Sequence, residues 1–448
     1  MTELSKIITA LVVLFTALTT GLSAAVPIND NLALDAEFRP RVEFDDRDFN
    51  VATGFDSYGS IRTRLGFRIE KAIPNTAFYL QLADSRTMGF GNPYLNGDPP
   101  GPNGCDNNLG VTKVYVEIRD FYRPGTMLRV GRFDNDQGRA YILGPGNWSF
   151  YGPRTYDGLK VGVETENQEW HLWTFYGANG DRHWIPSDSD PAKTPNPARD
   201  YKRDHTLTGA DYTFWKKQLN LLTFLDLDQQ PVLDTLHYER NVTSSRWTFA
   251  GNLKLRPFKK KPGLWFDGDL AWQTGTMGLA YGEADIAGWM SAGDLAYHHQ
   301  DPLDLWCGLG FHFTSGDDAA DSLDAGWFWD DYSSKHKIHG HMDYFTNDLG
   351  IKANGLRDYM LRAGLEPLRN LSVAVDFHHF MVQEAFPSKL DGSGTNTLGQ
   401  ELDILAAWQA RKGLTPQLGL DFFCPTEEWK GEDAKPAFFV YLVLTAQI

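Results

Sequence analysis

The chain lacks the long apolar segments with which helical membrane proteins cross a bilayer. Its mean hydropathy is −0.39, and no interior run reaches the roughly 18 apolar residues of a membrane helix. Cysteine is scarce, with three residues in 448, which excludes a disulfide-stabilised scaffold. Positive charge is also in deficit, because the formal net charge is −16, and this argues against a nucleic-acid-binding protein.

The amino terminus is the exception to the lack of apolar runs. Lys6 precedes an apolar stretch over residues 7–22, and Ala25 ends a short run of small residues. This order is typical of a secretory signal peptide. We therefore expect residues 1–25 to be removed and residues 26–448 to form one mature domain.

Short segments of alternating apolar and polar residues follow along the chain. In one of them Ile61, Thr63, Leu65, Phe67 and Ile69 alternate with Arg62, Arg64, Gly66, Arg68 and Glu70. Each segment thus has one face suited to lipid and one suited to water. Since lipid accepts only helices or closed barrels, the pattern predicts an all-β fold, a transmembrane antiparallel barrel of about eighteen strands.

The gaps between these segments alternate between short and long. Long gaps are expected at residues 133–153, 179–204, 229–245, 275–287, 316–355, 383–397 and 424–434. Outer-membrane barrels have short periplasmic turns and long extracellular loops. If the chain starts in the periplasm, every short gap falls on the periplasmic side and every long gap falls outside. A soluble propeller would need a repeat period, which the sequence lacks.

Two of the three cysteines are expected in long loops on the same side of the barrel. These are Cys105 and Cys424. Because the compartment is oxidising, a bridge between them and two free thiols both remain compatible with the sequence. Cys307 occupies an apolar strand position and is interpreted as a small hydrophobic residue.

The face expected to point inward differs in charge between the two halves of the chain. The first half is basic, with Arg39, Arg41, Arg62, Arg64, Arg68, Lys113, Arg119 and Lys160. The second half carries Asp267, Asp269, Asp358, Glu366, Asp376, Glu401, Asp403 and Asp421 against Lys254, Arg256 and Arg362. Guanidinium groups bind carboxylates bidentately and stay charged. The basic half therefore predicts either an anion path or wall-bracing ion pairs, and the lumen is expected to set a basic wall against an acidic one.

One block of the sequence is more distinctive than the rest. It contains Gly131-Arg132, Gly138-Arg139, Asn147-Trp148 and Arg154-Thr155-Tyr156-Asp157-Gly158, and weaker blocks are Asp84-Ser85-Arg86 and Phe313-Thr314-Ser315-Gly316-Asp317. These blocks resemble the bacterial alginate-export family of outer-membrane barrels. The resemblance implies a monomeric barrel of eighteen strands that passes an acidic polysaccharide through an arginine-rich pore, and it leaves room for periplasmic export partners.

The inward pattern and the resemblance together indicate which residues line the solute path. They are Arg39, Arg41, Arg62, Arg64, Arg86, Lys113, Arg132, Arg139, Arg154, Lys160 and Arg362. We expect a channel in outer-membrane lipid that passes anionic, uronic-acid-type saccharides by diffusion, with no cofactor. The alternative is a general porin for small solutes, because the acidic half also suits neutral or mixed cargo.

The long gap at residues 133–153 is expected to fold into the barrel. Its glycines permit tight reversals, and rings such as Tyr141 and Trp148 are able to pack inside a pore. Arg139 and Arg154 would then present their guanidinium groups at a constriction. A surface cap without a role in conduction is the alternative.

Metal sites and catalysis have weaker support. The group Asp317, Asp318 and Asp321 suggests calcium, but its spacing is not that of an EF-hand, and a solvated acidic loop is favoured. His336, His339 and His341 invite a zinc interpretation, as do the pairs His298-His299 and His378-His379. Adjacent strand residues point to opposite faces, so neither pair can hold one ion from within the barrel. A lipid hydrolase would need a triad on the lipid-facing edge, and the spacing around His312 and Ser315 assembles none.

Overall fold

The alternating segments form one closed barrel in the computed structural model. It describes residues 26–29, 31–49, 56–88, 109–144, 146, 154–176, 204–233, 239–256, 263–279, 282–299, 303–317, 324–334, 336, 338–345 and 353–448. Within these residues, twenty strands belong to a single sheet. The short strands β1 (Val26–Asn29) and β15 (Asp324–Ala325) add to it, and the other eighteen make the barrel wall.

The wall strands follow one another in chain order. They are β2 (Leu32–Asp46), β3 (Asp56–Ile73), β4 (Thr76–Met88), β5 (Leu109–Arg119), β6 (Thr126–Phe133), β7 (Tyr156–Glu164), β8 (Glu169–Tyr176), β9 (Asp204–Phe214), β10 (Leu219–Leu233), β11 (Glu239–Leu255), β12 (Gly263–Leu279), β13 (Gly282–His299), β14 (Leu305–Thr314), β16 (Leu356–Leu368), β17 (Leu371–Pro387), β18 (Gly394–Trp408), β19 (Leu414–Pro425) and β20 (Ala437–Gln447). A single helical turn, α1 (Glu427–Lys430), precedes β20.

Neighbouring wall strands pair antiparallel throughout, and β14 pairs with β16 across the longest gap. The barrel closes where β20 pairs with β2, with Arg41 opposite Val443 and Phe44 opposite Val440. Closure removes the sheet edges that lipid would otherwise leave unpaired. In the described part of the chain, no helix is long and apolar enough to span a membrane.

Alternation along each strand separates an outer apolar face from an inner polar one. Leu65 is 36% exposed, whereas its neighbour Arg64 is 8% exposed. Val161 pairs with Leu128 and Leu172, two other outward residues. The predicted strand register is confirmed at these positions.

Three of the expected long loops are wrong, because the strands extend into them. Leu233 pairs with Glu239 inside the gap at 229–245, Leu279 pairs with Gly282 inside the gap at 275–287, and Pro387 pairs with Gly394 inside the gap at 383–397. The sequence predicts loops there because these strand ends lack a clear alternation of apolar and polar residues. The backbone ladder continues through them because its hydrogen bonds do not depend on side-chain polarity.

The outer face makes a specific prediction about stability. Replacing Leu65 by Lys is expected to destabilise the inserted barrel by about 2–4 kcal/mol, the cost of a lysine near the bilayer midplane. Urea-induced unfolding in lipid vesicles measures this cost. The control is Arg68→Lys, since Arg68 lies on the inner face of the same strand and pairs with Glu70. An equal or smaller loss of stability for Leu65→Lys would contradict the register.

Candidate functional site

The inner face of β2 and β3 carries a group of arginines that we call the basic patch: Arg39, Arg41, Arg62 and Arg64. All four are inward-facing by strand parity, and Arg39 lies directly opposite Arg62 in the register. Such a pairing of like charges opposes folding unless anions or carboxylates compensate it.

Two glutamates contact the basic patch. Arg62 Nε donates to Glu37 Oε1 at 2.8 Å, and Arg64 Nη1 lies 3.6 Å from Glu37 Oε2. Arg41 pairs with Glu43. The patch thus sets four guanidinium groups beside these two carboxylates, which brace Arg41, Arg62 and Arg64 against the wall.

Acidic residues cover the inner face of β16 to β19. Asp358, Glu401, Asp403 and Asp421 are almost completely buried, which confirms their inward direction. Because β20 pairs with both β19 and β2, Asp403 and Asp421 on β18 and β19 lie beside the basic patch. Asp267 and Asp269 stand on β12, about half-way round the barrel from that patch. The acidic residues are therefore spread over more of the wall than one face opposite the basic residues.

The loop after β6 enters the barrel, as the sequence predicted. We call residues 134–144 the crossing segment. Near its start Lys113 Nζ donates to Asp134 Oδ2 at 2.5 Å, and Lys160 Nζ donates to Asn135 Oδ1 at 3.0 Å. Farther on, Arg139 Nε donates to Asp269 Oδ2 on β12 at 2.5 Å. The crossing segment therefore reaches strands far from the one it leaves.

Arg139 is the centre of a charge network on the wall it reaches. It also donates to Asp294 on β13. Asp294 Oδ1 accepts from Arg362 Nη1 at 3.1 Å, and Arg362 Nη2 donates to Asp376 Oδ2 at 2.8 Å. Burial alone would lower the pKa of Arg139, but the neighbouring phenol and carboxylates outweigh burial and raise it. Arg139 is thus charged at any physiological pH.

The loop between β14 and β16 also enters the lumen. We call its described residues 326–334, 336 and 338–345 the second segment. Tyr332 Oη donates to Asp226 Oδ2 on β10 at 3.0 Å, and Arg246 Nη2 on β11 donates to Asp331 Oδ2 at 3.1 Å. These contacts attach the second segment to β10 and β11.

The two segments bind each other through backbone hydrogen bonds. Gly144 N donates to Tyr332 O at 2.8 Å, and Ser334 N donates to Ala140 O at 2.9 Å. Apolar contacts reinforce them: Leu143 packs in one cluster with Tyr332, and Tyr141 packs in another with Phe328 and Ile338. The segments therefore narrow the lumen as a unit.

A cavity of about 370 Å³ lies between the crossing segment and the short-turn end of the barrel. Its charged and aromatic lining comprises Arg139, Tyr141, Lys254, Arg256, Trp265, Asp267, Asp294, His298, Trp306 and Arg362. The volume falls in the range of about 300–1,000 Å³ typical of small-molecule sites. Arg256 lies 4.7 Å from the Trp265 ring centroid, and Trp265 stacks on His298. The lining thus offers guanidinium groups and few carboxylates to a small solute.

The structure brings most of the predicted path residues to the lumen. Arg39, Arg41, Arg62, Arg64, Lys113, Arg139, Lys160 and Arg362 lie on the inner face or on the crossing segment. Arg154 reaches the second segment, with its guanidinium carbon 5.7 Å from the Tyr332 ring centroid.

Arg86 and Arg132 do not line the lumen. The side chain of Arg86 is 68% exposed and pairs with Asp84 at 2.7 Å. Arg132 shares its face with the exposed Val130 and pairs with Asp157 at 2.6 Å. Both arginines stand at the long-loop ends of their strands, where the outer face passes from the apolar band into a polar surface. Charge alone therefore did not identify the inner face there.

Sequence reasoning missed two basic residues of the lumen. Arg129 Nε donates to Glu117 Oε2 at 2.9 Å and its guanidinium lies over the Tyr115 ring. Arg246 holds the second segment, as described above. Because Val130 is apolar and faces outward, its neighbour Arg129 must face inward, and strand alternation would have identified it. No pattern in the sequence near Arg246 indicated its contact with a distant loop.

The remaining predictions fall partly outside the described residues. Cys105, Asp318 and Asp321 lie there, so the disulfide and calcium interpretations are untested.

His298 faces the cavity while His299 is exposed on the outer face, as strand alternation requires. Ser315 Oγ donates to Gly326 O at 2.7 Å, so its hydroxyl is not directed at His312.

A closed barrel of eighteen strands with an apolar outer face, a charged interior and inward loops defines an outer-membrane channel for solutes. The chain belongs to the alginate export family, whose model matches residues 30–433. It is therefore a bacterial outer-membrane protein, and the family indicates a channel and not an enzyme. Among curated proteins, none matches the chain in sequence.

Solved structures share the fold at low sequence identity. The outer membrane protein OpdK from Pseudomonas aeruginosa is 14% identical with a TM-score of 0.55, covering 94% of this chain and 99% of that one. OccAB1 from Acinetobacter baumannii is 14% identical with a TM-score of 0.58, covering 93% and 96%. A BenF-like porin from Pseudomonas fluorescens Pf-5 is 13% identical with a TM-score of 0.56, covering 94% and 99%.

Proposed function

We propose that this barrel passes anionic, uronic-acid-type saccharides across the outer membrane by diffusion. The observation that carries the proposal is the basic patch, in which Arg39 stands opposite Arg62 and in which Arg41, Arg62 and Arg64 pair with Glu43 and Glu37. A guanidinium group presents paired donors that match a carboxylate. Inside low-dielectric walls, such charge concentrates anions from solution.

The crossing segment supplies the selectivity barrier in this proposal. Arg139 and Arg362 border the cavity, where a carboxylate of the solute would exchange part of its water for guanidinium contacts. Asp269, Asp294 and Asp376 hold both arginines in place. A solute would therefore meet oriented positive charge, and passage would require the crossing segment to move.

The proposal also covers the orientation of the barrel in the membrane, the removal of its amino terminus and the number of chains it needs. The long-loop end lies outside the cell, and the short turns lie in the periplasm, as in other outer-membrane barrels. Residues 1–25 serve as a cleaved signal peptide. One chain encloses the whole lumen, so conduction needs no second subunit.

A small carboxylate is the second candidate solute. One similar structure is OpdK from Pseudomonas aeruginosa with vanillate, at 15% identity and a TM-score of 0.55. The cavity of about 370 Å³ has room for a molecule of that size and bears Arg139, Arg256 and Arg362. A general porin for small solutes would share this lumen without preferring long saccharides.

Neutralising the basic patch is expected to reduce anion preference. The variant Arg62→Gln with Arg64→Gln removes two inward charges, and glutamine leaves Glu37 a donor in place of the lost guanidinium. The reversal potential in planar bilayers under a salt gradient should shift toward cation permeation. The shift should fade in concentrated salt, since the Debye length falls from about 10 Å at 0.1 M to about 3 Å at 1 M.

The outer face offers a matched control for this test. Arg86→Gln with Arg132→Gln removes the same charge from the outer surface, where both arginines pair with aspartates, and should leave the reversal potential unchanged. If the inner variant behaves like the outer one at low salt, the basic patch braces the wall and does not select anions.

A further inference from the structure

The second segment meets the acidic inner wall at a cluster of possible metal ligands. Nitrogen and oxygen atoms of His341, Asp403 and Asp421 all lie within 4.8 Å of one another. His341 Nδ1 is 3.3 Å from Asp421 Oδ1 and 3.9 Å from Asp403 Oδ2. In a tetrahedral zinc site with bonds near 2.0–2.1 Å, donor atoms stand roughly 3.3–3.4 Å apart. The His341–Asp421 spacing equals that of ligands around one ion, and the His341–Asp403 spacing is longer.

The strand register explains why these carboxylates meet. Asp403 and Asp421 are direct partners across β18 and β19, and Glu401 lies two residues before Asp403 on the same face. Like charges directly opposite each other destabilise a sheet. Since the three carboxylates are 1%, 2% and 0% exposed for Glu401, Asp403 and Asp421, water does not offset that repulsion.

Several buried oxygens in the cluster have no hydrogen-bond partner in the described part of the chain. They are Glu401 Oε2, Asp403 Oδ1 and Asp421 Oδ2. Unsatisfied buried charge is costly unless a counter-charge is present. Two nearby arginines are engaged elsewhere, Arg362 with Asp376 and Arg47 with Asp45. Two imidazoles face the cluster, His341 and His378, the latter 3.6 Å from Asp403.

The loop backbone is also shaped to approach the carboxylates. Gly340 has φ +78°, and a Cβ there would clash with Glu401 Oε1. Met342 N donates to that same oxygen at 2.8 Å, and His341 N donates to Asp403 Oδ2 at 3.1 Å. Glycine at this position therefore permits the close approach that brings His341 to the wall.

We propose that His341, Asp403 and Asp421 bind a divalent metal ion, with Glu401 and His378 available as further ligands. Mixed imidazole and carboxylate donors favour a first-row ion such as Zn²⁺ or Mn²⁺ over Ca²⁺. The ion neutralises the acidic cluster and fastens the second segment to β18 and β19. This site does not depend on which solute the channel carries.

Metal content of the purified full-length barrel tests the proposal. After treatment with EDTA, equilibrium dialysis against Zn²⁺, Mn²⁺ or Ca²⁺ is expected to give one tightly bound Zn²⁺ or Mn²⁺ per chain. Asp421→Asn should weaken binding by more than about tenfold, as loss of a ligand or its support does. The control Glu117→Gln changes another buried carboxyl group, one that pairs with Arg119 and Arg129 on a different part of the wall, and should retain the ion.

A second variant keeps the test independent of folding. His341→Gln alters only the loop ligand, so the strands of the wall remain intact. Visible absorption of bound Co²⁺ should appear in the unsubstituted protein and weaken in His341→Gln. Failure of all three cations to bind stoichiometrically, binding of Ca²⁺ alone, or equal Zn²⁺ binding in every variant would overturn the proposal. The last result would indicate exposed histidines such as His299.

Discussion

Deleting residues 136–147 is expected to raise single-channel conductance several-fold. The deletion removes Gln137 and Arg139, which attach the crossing segment to distant strands, and Gly144, which binds the second segment. The part of the lumen that these residues occupy would then fill with water. Discrimination between charged and neutral sugars of equal size should fall at the same time, because Arg139 no longer borders the cavity.

Single-channel recording in planar bilayers measures both effects in one experiment. A suitable control deletes residues 389–392, a turn between β17 and β18 in which Gly392 N donates to Ser388 O, and it should leave conductance near that of the unmodified protein. Unchanged conductance after removal of residues 136–147, with the barrel inserted, would assign the crossing segment a structural role only.

Arg139→Ala is expected to release the crossing segment without shortening it. The substitution leaves Asp269 and Asp294 without their common partner. Breaking a buried ion pair from one side costs about 3–5 kcal/mol. Since about 1.4 kcal/mol is tenfold in an equilibrium, the docked segment should lose more than about a hundredfold in population. Frequent open events of high conductance are the expected signature.

Removing the stranded carboxylates should partly reverse this effect. The triple variant Arg139→Ala, Asp269→Asn and Asp294→Asn lacks unpaired charge and should open less often than Arg139→Ala. The control is Arg129→Ala, because Arg129 pairs with the buried Glu117 and both stand on the barrel wall. It should lower stability and leave opening unchanged. If Arg129→Ala opens the channel as much as Arg139→Ala does, general destabilisation explains both.

The sequence determined the architecture because lipid and water impose a period of two on every strand. Ile61, Leu65 and Ile69 alternate with Arg62 and Arg64 in the sequence, and the same alternation divides the two faces in the structure. Strand ends were harder to predict. Residues 229–233 and 276–279 belong to strands, although they are not clearly amphipathic, because backbone pairing extends the wall past the apolar band.

The functional interior was only partly predictable. The crossing segment was expected to fold inward from its glycines and aromatic residues, but its partners Asp269 and Asp294 lie 130 and 155 residues from Arg139. The sequence around Arg139 contains no pattern that predicts contacts with residues so far along the chain. Closure had the same consequence for the acidic strands: residues from opposite ends of the chain become neighbours, so Asp421 lies near the basic patch and not across from it.

Arg132 was predicted to line the lumen because it is charged, although strand alternation places it on the outer face. It stands two residues from Val130 and so on the same face, which is outward. Near the membrane surface an arginine on the outer face can pair with a neighbour, as Arg132 does with Asp157.

His341 belongs to a candidate site that the sequence did not predict. The spacing of the loop histidines did not predict a metal site, and the carboxylates that surround His341 come from β18 and β19.

Solute flux into proteoliposomes tests the central claim most directly. Uronic-acid oligomers and neutral oligosaccharides of equal length would be compared in the unmodified barrel and in Arg62→Gln with Arg64→Gln. Faster entry of the uronate oligomers, with the advantage lost in the inner variant and kept in Arg86→Gln with Arg132→Gln, is the predicted result. Equal entry of charged and neutral oligomers in the unmodified protein would contradict an anion-selective lumen.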